Sequence, residues 1–596
     1  MLVGSVVGYF LLGGANHGGF VQDFWQSLVR VLDASAFEQE TAWPSRLVAL
    51  VVTLLGIFIG GSLIGLIAAA IDQRVAELHK GRSTVLENRH TLILGWSARL
   101  PVIVQELVVA NENVARPAIV ILSPRPAADM EAEVRDRVPA TKNTRIVCRT
   151  GDPTKPADLK LANVEDARSV IVLAGEDGDA TVVKSILALK TLDPDFSRAN
   201  VVAEFAHAAH AQTIRVLTDG VVKTVNSDDV IAEVTAQACH QAGLSTVFRE
   251  LLDFAGDECY FAEVPELVGH TYGEALLAFK TSSLIGWCTA DGLLELNPAP
   301  DTVFSPGDRV VAISEDDDTV VFTGFSALSA SPRRSGAPSA GEGPIRVLII
   351  GWSTFGPRVV EELEEFLPKG SSIHVYVDED LVDVDEVRRS GGLHVTATSG
   401  GPENLSCDEG ERFDHVIVLG YRGGLTTGEA DARTLLTLLT LRKIWPLDAV
   451  PRVRIIAQLL DQANVELATA TGGDDFIVSD ALASLMLAQL SERPELDAVF
   501  DDLFDPDGAV IELRPASGFV PDSPVPYAQA VAAGIADNLS VIGWRRDASG
   551  EVVVNPPKDQ DIHLTASDQI LVVGLRAAAT APAAPGRAAA PAAVRT

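Results

Sequence analysis

The sequence is poor in the residues that a disulfide-stapled or nucleic-acid-binding protein needs. Its 596 residues hold five cysteines, Cys148, Cys239, Cys259, Cys288 and Cys407. They lie far apart with no C-x-x-C pair, which excludes a disulfide framework and a zinc knuckle; they read as buried thiols of a reducing compartment. Lys and Arg number 47 against 81 Asp and Glu, a formal net charge of -34. No basic stripe interrupts this acidity, and nucleic acid, which is held by Lys and Arg patches that release counterions, is excluded as a partner. No G-x-S-x-G elbow occurs, the histidines are scattered and no paired carboxylates face an obvious cleft, so an enzyme finds no support. The opening MLVGSVVGYFLLGG lacks the basic n-region of a signal peptide and reads as the remnant of a membrane helix.

Long apolar runs are also scarce, with one exception. From Leu47 to Ile71 there is no charged residue, enough to cross a hydrocarbon core of roughly 30 Å at about 1.5 Å per residue. Arg74, Lys80, Arg82 and Arg89 follow it, and by the positive-inside rule everything beyond is cytoplasmic. Between the two apolar stretches Phe24, Trp25, Leu28, Val31 and Leu32 share one helical face in a segment too short and polar to span. A short amphipathic helix ending in small residues is the plan of a re-entrant pore loop, with Asp33, Ala34, Ser35 and Ala36 at the pore and helix carbonyls favouring a cation. The same pattern also fits a plain extracellular linker helix. Gly56, Gly60, Gly61 and Gly65 are candidate hinge positions in the inner helix.

After the basic flank the chain alternates strand and helix patterns, twice. TLILGWSARLPVIVQEL from Thr91 is answered by VLIIGWSTFGPRVVEEL from Val347, SVIVLAG from Ser169 by HVIVLG from His415, and DATVVKSILALKTL from Asp179 by DARTLLTLLTLRKI from Asp431. LIGW at Leu284 with Asn297-Pro298 recurs as VIGW at Val541 with Asn555-Pro556. Blocks repeated in one order mean a duplicated unit of two parts. The expected fold class is α/β with membrane helices: a pore module, then two tandem Rossmann-like parallel-sheet domains, each with a small α+β lobe. The expected divisions are 1–73 for the pore module (pore helix 21–33, inner helix 46–71, an outer helix short enough to predict a start further upstream), 74–88 for a basic linker, 89–247 and 248–325 for the first domain and its lobe, 326–343 for a disordered linker, 344–496 and 497–576 for the second pair, and 577–596 for a disordered Ala/Pro tail.

Each copy's first strand ends in a glycine turn, Gly95-Trp96-Ser97 or Gly351-Trp352-Ser353, at the place where a dinucleotide's pyrophosphate would meet a helix N-terminus. Serines stand at the second glycine position and Leu100 at the third in copy one, a degraded fingerprint, so NAD-type binding is the less favoured reading and structural descent without ligand the favoured one. Asp378 stands where a ribose-binding carboxylate would sit in copy two, and Ser123 stands there in copy one. Gly151 and Asp152 follow a strand in copy one, where copy two has Gly400-Gly401. Glu176, Asp177 and Asp179 lie at a carboxyl edge and could hold Ca²⁺ through oxygen ligands; a solvated acidic turn is the plainer reading.

The join KGRSTVLENRHTLILGWSARL from Lys80 to Leu100, with IVCRTG at Ile146 and IVLAGEDG at Ile171, resembles the Castor/Pollux ion channels. The resemblance implies tandem domains regulating potassium conductance, with Ca²⁺ as a regulator. The family's pore segment A-D-A-G-N-H is similar to Leu32–Phe37, but Ser35 and Phe37 replace its glycine and histidine and no T-V-G-Y-G filter is present, which leaves ion selectivity open. The expected protein is therefore a ligand-regulated cation channel subunit of the cell membrane, with potassium the ion that the resemblance implies. It would be multi-pass, with lipid around it, and four copies would close the pore. The alternative is a membrane-anchored nucleotide-binding regulator of a separate potassium transporter; a membrane-bound NAD-dependent oxidoreductase fares worst.

Overall fold

The computed structural model describes residues 83–575 apart from 176–177, 242, 327, 329–342, 391–394, 401–411, 422–424, 447–452 and 505–507, together with 60–71, Trp25, Trp43, Leu50, Val51, Leu54, Ile57 and Phe58. The chain divides into two compact units, 1–83 with 126–129, and 84–125 with 130–596. In the first, residues 60–71 are helical and, apart from the half-buried Gly60, exposed. A Cβ at Gly60, Gly61 or Gly65 would meet nothing within 4 Å among the described residues. No helix among the described residues is long and apolar enough to cross a membrane. Asp33, Ala34, Ser35, Ala36 and Gly56 lie outside the described residues.

The second unit carries the duplication. In copy one β1 (Thr91–Leu94), α1 (Leu100–Ala110), β2 (Ala118–Ser123), α2 (Ala127–Arg137), β3 (Arg145–Thr150), α3 (Pro156–Leu161), β4 (Ser169–Val172), α4 (Asp179–Leu192), β5 (Asn200–Phe205), α5 (Ala208–Leu217) and β6 (Lys223–Asn226) are followed by α6 (Ser227–His240) and α7 (Leu244–Leu252). The six strands are parallel in the order β3-β2-β1-β4-β5-β6, the doubly wound arrangement. TLIL, AIVILS and SVIV are apolar at consecutive positions because both faces of these strands are covered, and all of their residues are buried. The first lobe is an antiparallel sheet of β7 (Glu258–Glu263), β8 (Ser283–Cys288), β9 (Leu294–Leu296) and β10 (Arg309–Ser314) in the order β7-β10-β8-β9, with the short helix α8 (Tyr272–Ala275).

Copy two repeats this with β11 (Arg346–Ile350), α9 (Gly356–Phe366), β12 (Ser372–Val377), α10 (Val384–Ser390), β13 (Val395–Ser399), β14 (His415–Val418), α11 (Thr427–Ile444), β15 (Arg454–Leu459), α12 (Val465–Ala470), β16 (Asp475–Val478), α13 (Ser479–Glu492) and α14 (Leu496–Leu503). Its strand order, β13-β12-β11-β14-β15-β16, matches that of copy one position for position. The second lobe has β17 (Ala509–Pro515), β18 (Val525–Pro526), α15 (Ala528–Ile535), β19 (Ser540–Arg545), β20 (Val552–Val554), β21 (Asp561–Ile562) and β22 (Gln569–Leu575), with the main sheet in the order β17-β22-β19-β20.

The helix after the sixth strand reaches across to the sheet of the other copy. α13 of copy two packs on β4, β5 and β6 of copy one and against α1, while α6 of copy one packs on β14, β15 and β16 of copy two and against α9. The sequence of α13 answers this position: from Ala481 to Ser491 every residue is buried, so it carries no solvent stripe. The next helices cross as well. Ser245 of α7 and the Gly243 N–H (2.7 Å) bond Asp475 at the start of β16, and at the equivalent places Lys223 at the start of β6 pairs with Asp497 of α14 at 3.1 Å.

The repeated I-G-W and Asn-Pro blocks have an architectural explanation. The β8–β10 register shifts between Val311 and Ala312, leaving Ile285 unopposed, and the β19–β22 register shifts between Val541 and Gly543, leaving Ile542 unopposed. The freed carbonyls of Ile285 and Ile542 accept the N–H of Asn297 and Asn555, each at 2.7 Å. Both asparagines sit at left-handed φ, 46° and 49°. Each then donates from Nδ2 across to the other lobe, Asn297 to the Asn538 carbonyl at 2.8 Å and Asn555 to the Thr281 carbonyl at 2.9 Å. The two lobes share one hydrophobic core, in which Leu267, Tyr272 and Phe279 meet Phe519, Tyr527 and Trp544. The four described cysteines are buried and unpaired, as the sequence suggests, and burial pushes Cys148, Cys239 and Cys259 up to about 12.

Close approach makes glycine necessary at Gly543, where a Cβ would collide with the Val553 carbonyl, but not at Gly428 on α11, where it would meet nothing. Gly543→Ala should lose about 1–3 kcal/mol in urea unfolding, whereas Gly428→Ala should lose none. The interlobe Lys558 ammonium, buried and donating to the Ser282 carbonyl, is pushed down to about 7 by burial. Between that value and the usual lysine range the unfolded chain binds a proton that the folded chain does not, so stability should rise with pH across this window. Thermal unfolding of Lys558→Met should show that part of the slope removed.

Candidate functional site

The carboxyl edges of the two sheets hold the sequence-predicted ligand residues, and the two copies use them differently. The turns at Gly95 and Gly351 run at φ 100° and 88°, and their N–H groups donate to the carbonyls of Leu122 and Tyr376, each at 2.9 Å. A Cβ on Gly95 would lie 3.0 Å from the Leu173 carbonyl oxygen, and one on Gly351 would overlap the Leu419 carbonyl. Both glycines are thus required by the neighbouring strand end, with or without a ligand. Ser97 Oγ accepts the Arg99 N–H at 3.3 Å in front of α1. Ser353 is buried, and its Oγ has no partner among the described residues. Gly356, which completes the glycine pattern of copy two, makes room for the Trp352 ring, 2.7 Å from where its Cβ would be.

In copy two the place of a ribose is occupied by the protein itself. The Asp378 carboxylate, buried at the end of β12, forms an ion pair with Arg433 of α11 and accepts the Asp380 N–H at 3.0 Å. The Asp378 N–H donates to Tyr421 Oη at 3.0 Å, and the Arg433 guanidinium lies 5.6 Å from the Tyr421 ring centre. At the equivalent positions, set by the strand registers, copy one has Pro124 rather than the Ser123 that the sequence suggests, with Thr181 and Gly175, and these form no such ion pair or aromatic cover. Its crevice is bordered by Trp96, on whose face the Arg125 guanidinium lies at 4.5 Å. Gly151 is held close by Leu122 and Asp158, 2.8 and 3.2 Å from where its Cβ would be. Asp152 closes its own turn, accepting from Thr154 N (3.0 Å) and Oγ1 (2.6 Å) and pairing with Lys155 at 3.1 Å. Partial burial opposes its charge, but the Thr154 bonds and the Lys155 ammonium outweigh that and hold its pKa low.

Asp179 opens α4 as a latch. Its buried carboxylate accepts the N–H groups of Ala206 (2.8 Å) and His207 (3.1 Å) beyond β5, and lies 3.0 and 2.7 Å from Nδ1 of His207 and His210. The burial cost is outweighed by these bonds, the one from Ala206 first, and the carboxyl stays below its usual range. Glu176 and Asp177 lie outside the described residues. The histidines escaped the sequence reading, although H-A-A-H at the entry to a helix is a visible i, i+3 pair.

A second feature hidden from the sequence is Arg99. It is largely buried, paired with Glu204 of β5 and, 3.2 Å from Nε, with Asp480 of α13 from the other copy. Burial works against its charge; Glu204, Asp480 and Asp228 more than compensate and keep it protonated. Glu204 also accepts the Ala174 N–H at 3.1 Å. Copy two has the neutral version of this arrangement. Phe355 replaces Arg99, and Gln458 replaces Glu204, accepting the Gly420 N–H at 3.0 Å and donating to Ser479. A cleft of about 1310 Å³ between α7, the β15–β16 edge and the second lobe is lined by Arg249, Arg454, Arg514 and Arg545. Asp474, Asp475, Glu512 and Asp547 line it too, so its basic and acidic side chains are equal in number.

Residues 228–326, from α6 through the first lobe, match the model described as Castor and Pollux, part of voltage-gated ion channel, and residues 126–228 match the TrkA-N domain. "Probable ion channel CASTOR" of Oryza sativa subsp. japonica is 27% identical over 94% of this chain and 67% of its own length. "Ion channel CASTOR" of Lotus japonicus is 27% identical over 94% of this chain and 71% of its own. The chain is similar to the Castor and Pollux ion channels along nearly its whole length. These relatives are named as ion channels, not as enzymes. Among solved structures the human SLO3 gating ring superposes with a TM-score of 0.58 at 13% identity, covering 82% of this chain and all of that one, a likeness of fold. The chain thus has a tandem Rossmann-like body that matches a whole gating-ring structure in its fold.

Removing one partner from a buried ion pair leaves the other charge uncompensated, at a cost of about 3–5 kcal/mol. Arg99→Met should show a loss of that size in equilibrium unfolding. Adding Glu204→Gln, the residue type that copy two uses, should recover most of it.

Proposed function

We propose that this chain is a subunit of a ligand-regulated cation channel, with potassium as the permeant ion and four copies closing one pore. The observation that carries the reading is similarity along 94% of the chain to proteins named ion channels. The uncharged run from Leu47 to Ile71 supports a place in the cell membrane, with the body beyond its basic flank in the cytoplasm. One re-entrant loop at Asp33, Ala34, Ser35 and Ala36 is a fraction of a pore, so symmetry is needed to complete it.

The body is the regulator. Copy one has no counterpart of the Tyr421 and Arg433 cover at its crevice of Gly95, Ser97, Gly151 and Asp152, having Gly175 and Thr181 there, and α13 brings Asp480 of copy two to Arg99 beside it. Copy two, with Gly351, Ser353 and Asp378 closed in by Tyr421 and Arg433, serves as scaffold. A ligand that binds one arrangement of the two copies better than another shifts the pore through the helix that carries Gly56, Gly60, Gly61 and Gly65. Ca²⁺ is the first regulator to try and an NAD-type nucleotide the second.

Purified full-length protein should have the mass of a homotetramer in mild detergent. In liposomes it should pass K⁺, at a rate changed by Ca²⁺ or the nucleotide. A tetramer without flux under every condition would overturn the channel reading in favour of an anchored regulator of a separate transporter.

A further inference from the structure

We infer that Asp179, His207 and His210 form a binding site for a divalent transition-metal ion of the Zn²⁺ class. One oxygen of Asp179, Oδ2, lies 3.0 Å from His207 Nδ1 and 2.7 Å from His210 Nδ1, and the three potential ligand atoms all fall within 4.8 Å of one another. The imidazole rings are tilted by 53° with centroids 5.2 Å apart, so the nitrogens converge on the carboxylate without the rings stacking. The carboxylate is fixed from behind by two backbone N–H groups, those of Ala206 and His207. The buried side is therefore rigid, and the histidine side chains are 72% and 54% exposed. An ion can reach them from solvent and keep water in its remaining positions.

The duplication provides an internal comparison. Asp431 begins the same stretch of helix in copy two and holds the same corner, accepting the N–H groups of Leu460 (2.8 Å) and Asp461 (3.0 Å) and Nδ2 of Asn464 (2.7 Å). Asn464 stands at the His210 position, and one neutral amide is enough for the latch. Asp461 stands at the His207 position and turns its carboxylate to the N–H of Ala463. Two imidazoles on one carboxylate oxygen are thus more than the fold requires. Two nitrogens and one carboxylate oxygen suit Zn²⁺ or Co²⁺, which take tetrahedral sites with His and Asp ligands at about 2.0–2.2 Å. They do not suit Ca²⁺, which takes six to eight oxygens. On metal binding the two Nδ1 lone pairs turn to the ion, each neutral ring carrying its proton on Nε2, and Asp179 keeps its backbone bonds. The ion would join the start of α4 to the start of α5 at the carboxyl edge of the copy-one sheet.

The inference does not rest on the channel reading, because its readout is binding. Full-length protein in mild detergent, freed of metal with a chelator, is titrated with Zn²⁺ by calorimetry and with Co²⁺ by visible absorption. His210→Asn copies the latch of copy two and should fold with an unchanged melting temperature in the absence of metal, yet bind one ion fewer per chain. His207→Ala should weaken the same site by roughly 100-fold or more, the scale on which even supporting residues of metal sites act. Zn²⁺ should raise the melting temperature of the parent protein and leave His210→Asn less affected. Equal Zn²⁺ stoichiometry and affinity in the parent and in His210→Asn, or a parent that binds Ca²⁺ here and not Zn²⁺, would overturn the assignment.

Discussion

The architecture depends on an exchange of helices between two copies of one unit. A parallel sheet needs both faces covered, and here part of each cover comes from the other copy: α13 lies on β4–β6 and α6 on β14–β16. The exchange is reciprocal, as in an isologous contact between identical subunits, but here it is written into a single chain. Arg168 at β4 meets Glu492 at the end of α13 at 2.6 Å, and Arg358 on α9 meets Asp229 on α6 at 3.1 Å. Beyond the helices, the two lobes fuse into one core through the Asn297 and Asn555 turns. Separating the copies would strip cover from both sheets and open that core at the same time.

Duplication also separates what the fold needs from what one copy has added. A polar side chain from the fifth strand that accepts the N–H beyond the fourth is common to both copies, as Glu204 and Gln458. A carboxylate at the start of the following helix is common too, as Asp179 and Asp431. The charge on Glu204, the Arg99 that answers it and the two histidines around Asp179 belong to copy one alone. In copy two the added elements are Tyr421 and Arg433, which fill the crevice over Asp378. The copies have therefore diverged, one by adding charged and imidazole groups at its sheet edge and the other by covering its own with Tyr421 and Arg433.

The repeats made the doubled α/β plan legible in the sequence, because burial on both faces leaves a run of apolar residues that no other strand environment produces. The glycines of the G-W-S turns were legible as turn glycines, and the structure explains them by strand ends pressing on the turn. What could not be read was long-range pairing. Nothing near Arg99 in sequence announces Asp480, and nothing in copy two's Asp378 announces that Arg433 will neutralise it. The acidic turn reads in the sequence as a set of oxygen ligands or, more plainly, as a solvated loop, yet Asp179 points inward to amides and imidazoles supplied by the next strand's end. The helix exchange was equally hidden, since an apolar α13 fits its own sheet as well as its neighbour's.

The central claim is that the exchanged helices make the two copies one cooperative body. Amide hydrogen exchange on the intact chain tests it most directly, because amides that open together report a common free energy. The account predicts that the slowest amides of β4–β5 and of β14–β15 exchange with the same free energy and respond equally to denaturant. If one sheet opened well below the other, with α6 and α13 following different copies, the claim would be contradicted.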